Sequence, residues 1–135
     1  MKAREQFERL GELYRLLADK QYRRERIISA VTSISVPMES DRVQTSGDKD
    51  RIGNAVAKTA DLDREIAELM EQYSECLLEC FDLIQGLENK AHFDVLMHRF
   101  IERKSIGETA EEMCLSPDYV KQLQRAAMRI LDGEE

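Results

Sequence analysis

Apolar residues recur three and four positions apart along most of the chain, a spacing that predicts long amphipathic helices. The first predicted helix spans residues 3–31, and its apolar stripe comprises Phe7, Leu10, Tyr14, Leu17, Ile28 and Val31. The second spans residues 50–86, with the stripe Ile52, Val56, Thr59, Ile66, Leu69, Tyr73, Cys76, Cys80 and Leu83. Gln21, Arg24 and Asp63 also fall on these seams, so a simple two-helix hairpin leaves the stripe incompletely covered.

Between the two helices, residues 33–49 lose this spacing. The segment contains Pro37, Gly47 and several serines, which predicts a loop that is long for a compact domain. Two long amphipathic helices joined by a loop form an antiparallel hairpin or part of a dimeric bundle. The polar seam positions favour a homodimer through the long helices.

Three shorter helices are predicted after Gly86, near residues 90–101, 105–113 and 117–131. Ser105 and Ser116 are good helix N-caps, and Pro117 suits the first position of a helix. No strand-like alternation occurs at length. The sequence therefore predicts an all-α fold, with a helical hairpin over residues 1–87 and a helix-turn-helix domain over residues 88–135.

The last predicted helix has one apolar face and one polar face. At 100° per residue, its apolar face comprises Val120, Leu123, Ala127, Ile130 and Leu131. The opposite face carries Asp118, Lys121, Gln122, Arg125 and Arg129. Ser116 lies at its start, and Arg103 and Lys104 precede the other motif helix, where cations and a helix N-terminus can bind a phosphate. These eight residues are the candidate DNA-binding set.

Charge limits how such a domain can bind DNA. The net charge is −7, and residues 1–30, 31–87 and 88–135 carry +3, −7 and −3. Domains that bind DNA through phosphate neutralisation alone are usually basic. DNA binding here must therefore depend on a local basic patch or on a partner such as RNA polymerase. The basic run from Lys20 to Arg26 has two interpretations, contact with nucleic acid or pairing with the acidic second helix, and the second is favoured.

The segment Val95–Leu131 resembles the fourth conserved region of bacterial sigma factors. The resemblance rests on Arg99-Phe100, Ser105, Glu108-Thr109-Ala110, Ser116 and Val120-Lys121-Gln122-Leu123. It implies that Asp118, Lys121 and Gln122 contact promoter bases. Cys114 stands where glycine is commoner, at a position that often has a positive φ. No stretch resembles the sigma regions that melt DNA or bind core polymerase tightly.

The middle of the chain, from Ser35 to Ile66, is similar to small proteins encoded in phages and prophages of Gram-positive bacteria. Their C-terminal part is sigma-like, and they are compared with late-gene regulators of the ArpU type. The resemblance implies a phage-derived transcription regulator. The alternative is a helical adaptor that docks on RNA polymerase or on a phage assembly partner, including a role like that of a terminase small subunit.

Other chemistry has little support in the sequence. Cys76 and Cys80 lie one helical turn apart, but a structural zinc site needs four ligands, so core packing is favoured. His92 and His98 do not share a helix face, and no acid–base pair or phosphate loop is present. We expect a non-enzymatic cytoplasmic protein with no membrane span, no bound metal and no cofactor.

Overall fold

The computed structural model describes residues 2–34 and 46–133, which are almost entirely helical. Its α-helices are α1 (Lys2–Ile34), α2 (Ser46–Gln85), α3 (Lys90–Leu96), α4 (Ile106–Met113) and α5 (Pro117–Leu131). A π-helix, Met97–Ile101, follows α3 directly. The described residues contain no strand, so the predicted all-α fold class is confirmed.

The helices extend further toward the loop than the sequence predicts. The predicted loop 33–49 is wrong at both ends, because residues 33–34 belong to α1 and residues 46–49 belong to α2. Serine, threonine and aspartate disfavour a helix only weakly, and extending an existing helix costs far less than starting one. Residues 35–45, which include Pro37, lie outside the described residues.

The long helices run antiparallel, and charged pairs join them. The Nζ atom of Lys20 lies 2.9 Å from a carboxylate oxygen of Glu65, and Arg24 pairs with Asp63. Residue numbers thus rise along α1 while they fall along α2. These pairs confirm the predicted charge match between the basic run of α1 and the acidic second helix.

Contacts divide the chain into two units. Unit 1 comprises Met1–Leu13 with Gln72–Glu135, and unit 2 comprises Tyr14–Glu71. The buried core lies in unit 1, where Leu10, Ile84, Val95, Leu96 and Val120 are fully buried. Whether residues 1–87 and 88–135 fold as separate domains stays a prediction. No helix in the described part of the chain is long and apolar enough to cross a membrane.

Within unit 1, the start of α1 packs against the C-terminal helices. The rings of Phe7 and Phe100 are stacked with their centroids 4.7 Å apart. After α5 ends, the Asp132 carboxylate accepts a hydrogen bond from the backbone N–H of Ala3, at 3.1 Å. The first turn of α1 is therefore part of the structure that holds α5.

Candidate functional site

The unit formed by α4, the turn Cys114–Ser116 and α5 has well-defined helix ends. The Ser105 hydroxyl accepts a hydrogen bond from the Glu108 N–H, and the Glu108 carboxylate accepts one from the Ser105 N–H, which completes a capping box. Ser116 caps α5 by accepting from the Tyr119 N–H. Both predicted caps are confirmed. Cys114 ends α4 in the left-handed region, with φ 58° and ψ 44°, as its place in the motif predicts.

The buried face of α5 differs in part from the predicted face. Val120, Leu123 and Ala127 are buried as expected, but Ile130, predicted to be in the core, is 51% exposed, and Met128 is buried instead. The buried arc is rotated by about 40° from the predicted one at 100° per residue. The rotation arises because α5 packs against α3 as well as α4. Sequence spacing alone does not reveal that second neighbour.

The opposite face of α5 presents the candidate DNA-binding side chains to solvent. Asp118, Lys121, Gln122, Arg125 and Arg129 are all exposed. Among the residues that the structure describes, none of these five side chains has a hydrogen-bond or ion-pair partner. Charged groups exposed in this way are available to a ligand without first breaking an internal contact.

An additional aromatic residue, Tyr119, belongs to this surface and was missed by the sequence prediction. Tyr119 is 46% exposed. It lines a shallow groove whose other lining residues are Gln122, Leu123, Arg125, Ala126 and Arg129. Its spacing of three and seven residues from Gln122 and Ala126 is the signal that could have placed it there.

The two basic residues of the turn before α4 have different surroundings. The Lys104 ammonium lies 3.1 Å from a Glu102 oxygen and 3.4 Å from a Glu112 oxygen. The hydrogen bond to Glu102 raises the pKa of Lys104, and the bond to Glu112 adds to the effect. The positive charge of Lys104 is therefore largely balanced within the chain. Arg103 is half-buried and has a positive φ of 60°.

Arg99 fixes this turn against α5, a role that the sequence did not predict. Its Nε atom donates to Gln124 Oε1 at 2.9 Å, and its Nη1 atom donates to the carbonyl oxygen of Lys104. Burial lowers the pKa of Arg99, and the nearby charge of Arg103 lowers it further. The guanidinium therefore links the π-helix, the turn and α5.

The electrostatic character of the surface changes from α4 to α5. A depression beside α4 is lined by Lys104 and by three glutamates, Glu108, Glu111 and Glu112. The exposed candidates on α5 comprise three cations and one anion. Positive charge is therefore concentrated on α5, and any polyanion would meet that helix in preference to α4.

The cysteines of α2 pack in the core of unit 1. The Cys76 and Cys80 thiols lie 3.6 and 3.5 Å from the Gln6 carbonyl oxygen, to which they donate. Burial raises the pKa of Cys76, and it raises the pKa of Cys80 to about 12. Protonated, hydrogen-bonded thiols are poor nucleophiles and poor metal ligands. Both residues therefore have the packing role that the sequence favours.

One face of α5 thus presents a set of polar side chains to solvent. Within the same residues, no three histidine, cysteine, aspartate or glutamate side chains are arranged to hold a metal ion. No known protein family, no curated protein and no solved structure matches this chain.

Proposed function

We propose that this chain is a sequence-specific DNA-binding transcription regulator of phage or prophage origin, and that α5 is its recognition helix. The exposed face of α5 is the observation that carries the proposal. It holds five polar side chains without partners in the described residues, on a helix whose other face is buried. The sigma-like resemblance of the same segment supports the proposal independently.

The dimensions of α5 suit the major groove of DNA. Its 15 residues make a helix about 22 Å long, and the major groove admits one α-helix. Residues near the start of a recognition helix contact base edges. The sigma-like resemblance supports base contacts for Asp118, Lys121 and Gln122, and we propose that Ser116, Arg125 and Arg129 lie near bases or phosphates.

Each polar group on this surface has a definite chemical preference. The Gln122 amide can donate to and accept from adenine at once, and a guanidinium or ammonium group pairs with guanine or phosphate. The Asp118 carboxylate accepts from the cytosine amino group. Arg103 and Lys104 are the phosphate contacts expected from the turn, and Lys104 shares its charge with Glu102 and Glu112.

The acidic balance of the chain indicates modest affinity for DNA in general. The chain has a net charge of −7, and within the candidate surface α5 and the turn before α4 offer the cations for the phosphate backbone. A partner that is itself bound to DNA would supply the missing affinity. We propose RNA polymerase as that partner.

A protein-interaction adaptor is the second candidate function. Tyr119 and Ile130 are 46% and 51% exposed on α5, and exposed aromatic and aliphatic side chains are typical centres of protein interfaces. An adaptor would bind another protein through this face without selecting a DNA sequence. Selection of a particular DNA sequence therefore distinguishes the two functions.

Selection of bound fragments from a random DNA pool tests the proposal. Wild type should enrich a defined motif, and Gln122→Ala should lose preference at one base pair, worth about 1–3 kcal/mol of discrimination. Gln72→Ala is the matched control, because Gln72 is exposed on α2 and away from α5. Arg129→Ala should weaken binding to all sequences and reduce the salt slope by about one charge. If wild type enriches no motif, with or without RNA polymerase, the proposed DNA-binding function is wrong and the adaptor function replaces it.

A further inference from the structure

The described residues of unit 2 contain no buried core, although its two helices keep a regular seven-residue repeat. None of its described residues is buried. Those that are half-buried recur at alternating intervals of three and four. In α1 they are Leu17, Lys20, Arg24, Ile27 and Val31, and in α2 they are Ala55, Thr59, Leu62, Ile66 and Leu69. This is the seam of a coiled coil, covered only by the facing helix.

Most positions of the same repeat are buried in unit 1, and Gln6 and Tyr73 are half-buried there. Ala3, Leu10 and Leu13 of α1 and Cys76 and Cys80 of α2 occupy the corresponding positions, and each is at most 5% exposed. The additional helices of unit 1 complete its core. Two helices alone bury half of a seam, so the described residues of unit 2 leave the other half of the seam uncovered.

One flank of the unit 2 seam is mostly apolar. Tyr14, Ile28, Val56 and Met70 each follow a seam position directly, and they are 39%, 40%, 61% and 51% exposed. In an antiparallel pair, these positions of both helices lie on the same side of the seam. We call these four residues the apolar stripe; it extends about 21 Å along the helices.

The opposite flank of the seam is mostly charged. It carries Arg23, Lys58 and Glu65, together with the apolar Leu16 and Ala30, each directly before a seam position. Burial of that flank would therefore cost desolvation of charged groups, whereas burial of the apolar stripe removes apolar surface from water. An added layer of helices is favoured on the stripe side.

The charges of unit 2 indicate what kind of layer fits. Residues 14–32 of α1 carry five basic and two acidic side chains, a net charge of +3. Residues 52–71 of α2 carry two basic and five acidic side chains, a net charge of −3. A second copy related by a two-fold axis along the hairpin sets α1 beside α2 of its partner, antiparallel and opposite in charge. The surface is thus complementary to itself.

We propose that two copies of this chain associate through the apolar stripe and form an antiparallel four-helix bundle from their unit 2 hairpins. The bundle gives each seam the second layer that other helices provide in unit 1. The same geometry sets polar Gln21 and Asp63 at the middle of the stripe, where they fix the register of the two copies. This association does not depend on DNA binding by α5.

Sedimentation velocity of the full chain over a range of concentrations tests the proposal. The sedimenting species of wild type should have a mass twice the 15.6 kDa of one chain. Met70→Glu places two carboxylates in the interface and should raise the dimer dissociation constant at least about tenfold. Tyr22→Glu is the matched control, because Tyr22 is 59% exposed on the side of α1 away from the seam. Circular dichroism should show the same helix content for all three proteins.

A mixing experiment tests the placement of α1 beside α2 of the partner. Ile28→Lys and Val56→Glu should each weaken the dimer alone, and an equimolar mixture should recover it, because the new charges then face each other across the interface. Wild type that stays monomeric at its highest soluble concentration would overturn the proposal. So would equal dimer stability in Met70→Glu and Tyr22→Glu, or a mixture of the two charged variants that fails to recover the dimer.

Discussion

The turn between α4 and α5 depends on one residue in an unfavourable backbone conformation. Cys114 has φ 58° and ψ 44°, where a Cβ atom crowds the following carbonyl. The conformation lets the Leu115 N–H donate to the Ala110 carbonyl at 2.9 Å, which closes the end of α4. Cys114 keeps this conformation because the Leu115–Ala110 hydrogen bond and the cap at Ser116 fix the backbone on either side of it.

Cys114→Gly should therefore stabilise the protein. Relief of left-handed strain is worth about 1–2 kcal/mol, and the greater freedom of glycine in the unfolded chain costs about 0.4–1 kcal/mol, so the net gain should be about 0.5–1 kcal/mol. Urea unfolding of wild type and Cys114→Gly measures it. Cys114→Ala is the control and should leave stability nearly unchanged, since it keeps the Cβ. If Cys114→Gly is less stable than Cys114→Ala, the backbone at residue 114 is not strained.

A small polar cluster at the end of the π-helix makes stability depend on pH. Glu102 Oε1 lies 2.8 Å from His98 Nδ1, and Lys104 lies 3.1 Å from the same oxygen. The hydrogen bond from His98 lowers the pKa of Glu102, and the bond from Lys104 lowers it further. A carboxyl whose pKa is lower in the folded state stabilises the fold above its unfolded pKa, and this contribution is lost as pH falls.

Glu102→Gln should reduce the loss of stability on acidification. Unfolding free energies of wild type and variant, measured between about pH 6 and about pH 3, should converge toward the acid end. Glu111→Gln is the control, because Glu111 is exposed and has no ion pair among the described residues. A constant difference in unfolding free energy between wild type and Glu102→Gln at every pH would show that the charge of Glu102 does not contribute to stability.

At the scale of elements, the π-helix after α3 is the main departure from the sequence prediction. The pattern predicts a continuous α-helix over residues 90–101, but α-helical geometry ends at Leu96. The Glu102 N–H then donates to the Met97 carbonyl, five residues back, at 2.8 Å. The wider turn rotates the following side chains, so that Phe100 stacks on Phe7 and Arg99 reaches Gln124. Local propensity does not predict it, because those contacts are far apart in sequence.

Arg99→Lys should destabilise the α4–turn–α5 unit by about 1.5–3 kcal/mol. An ammonium group cannot make both of the directed bonds that the planar guanidinium makes to Gln124 and to the Lys104 carbonyl. Thermal unfolding measures the loss. Arg125→Lys is the matched control and should cost little, because Arg125 is exposed and unpaired in the described residues. Equal stability of the two variants would show that Arg99 does not fix the turn.

At the scale of the whole chain, residues far apart in sequence make one core. Phe7 near the start of α1 is only 4% exposed, and its ring stacks on that of Phe100 in unit 1. The Asp132–Ala3 hydrogen bond joins the start of α1 to the residue that follows α5. The C-terminal helices thus depend on α1 for part of their packing.

Phe7→Ala should destabilise unit 1 by about 3–5 kcal/mol, through lost apolar burial and an unfilled cavity beside Phe100. Hydrogen exchange should show faster exchange in α3 and α5 as well as in α1. Tyr22→Ala is the control, because Tyr22 is exposed on the same helix. For the same reason, a fragment of residues 88–135 should be less stable than the same residues in the full chain. Unchanged exchange in α5 of Phe7→Ala would show that the C-terminal helices fold without α1.

The sequence alone determined the local features. The three-four spacing predicted the helices, and Ser105 and Ser116 predicted the caps, because each depends on a few neighbouring residues. The sigma-like resemblance implied the positive φ of Cys114. Tertiary structure decided the rest. Packing against α3 exposes Ile130 and buries Met128, the π-helix aims Arg99 at Gln124, and the ion pairs of Lys104 balance its charge. These outcomes depend on which surfaces meet, and periodicity along one chain does not encode that choice.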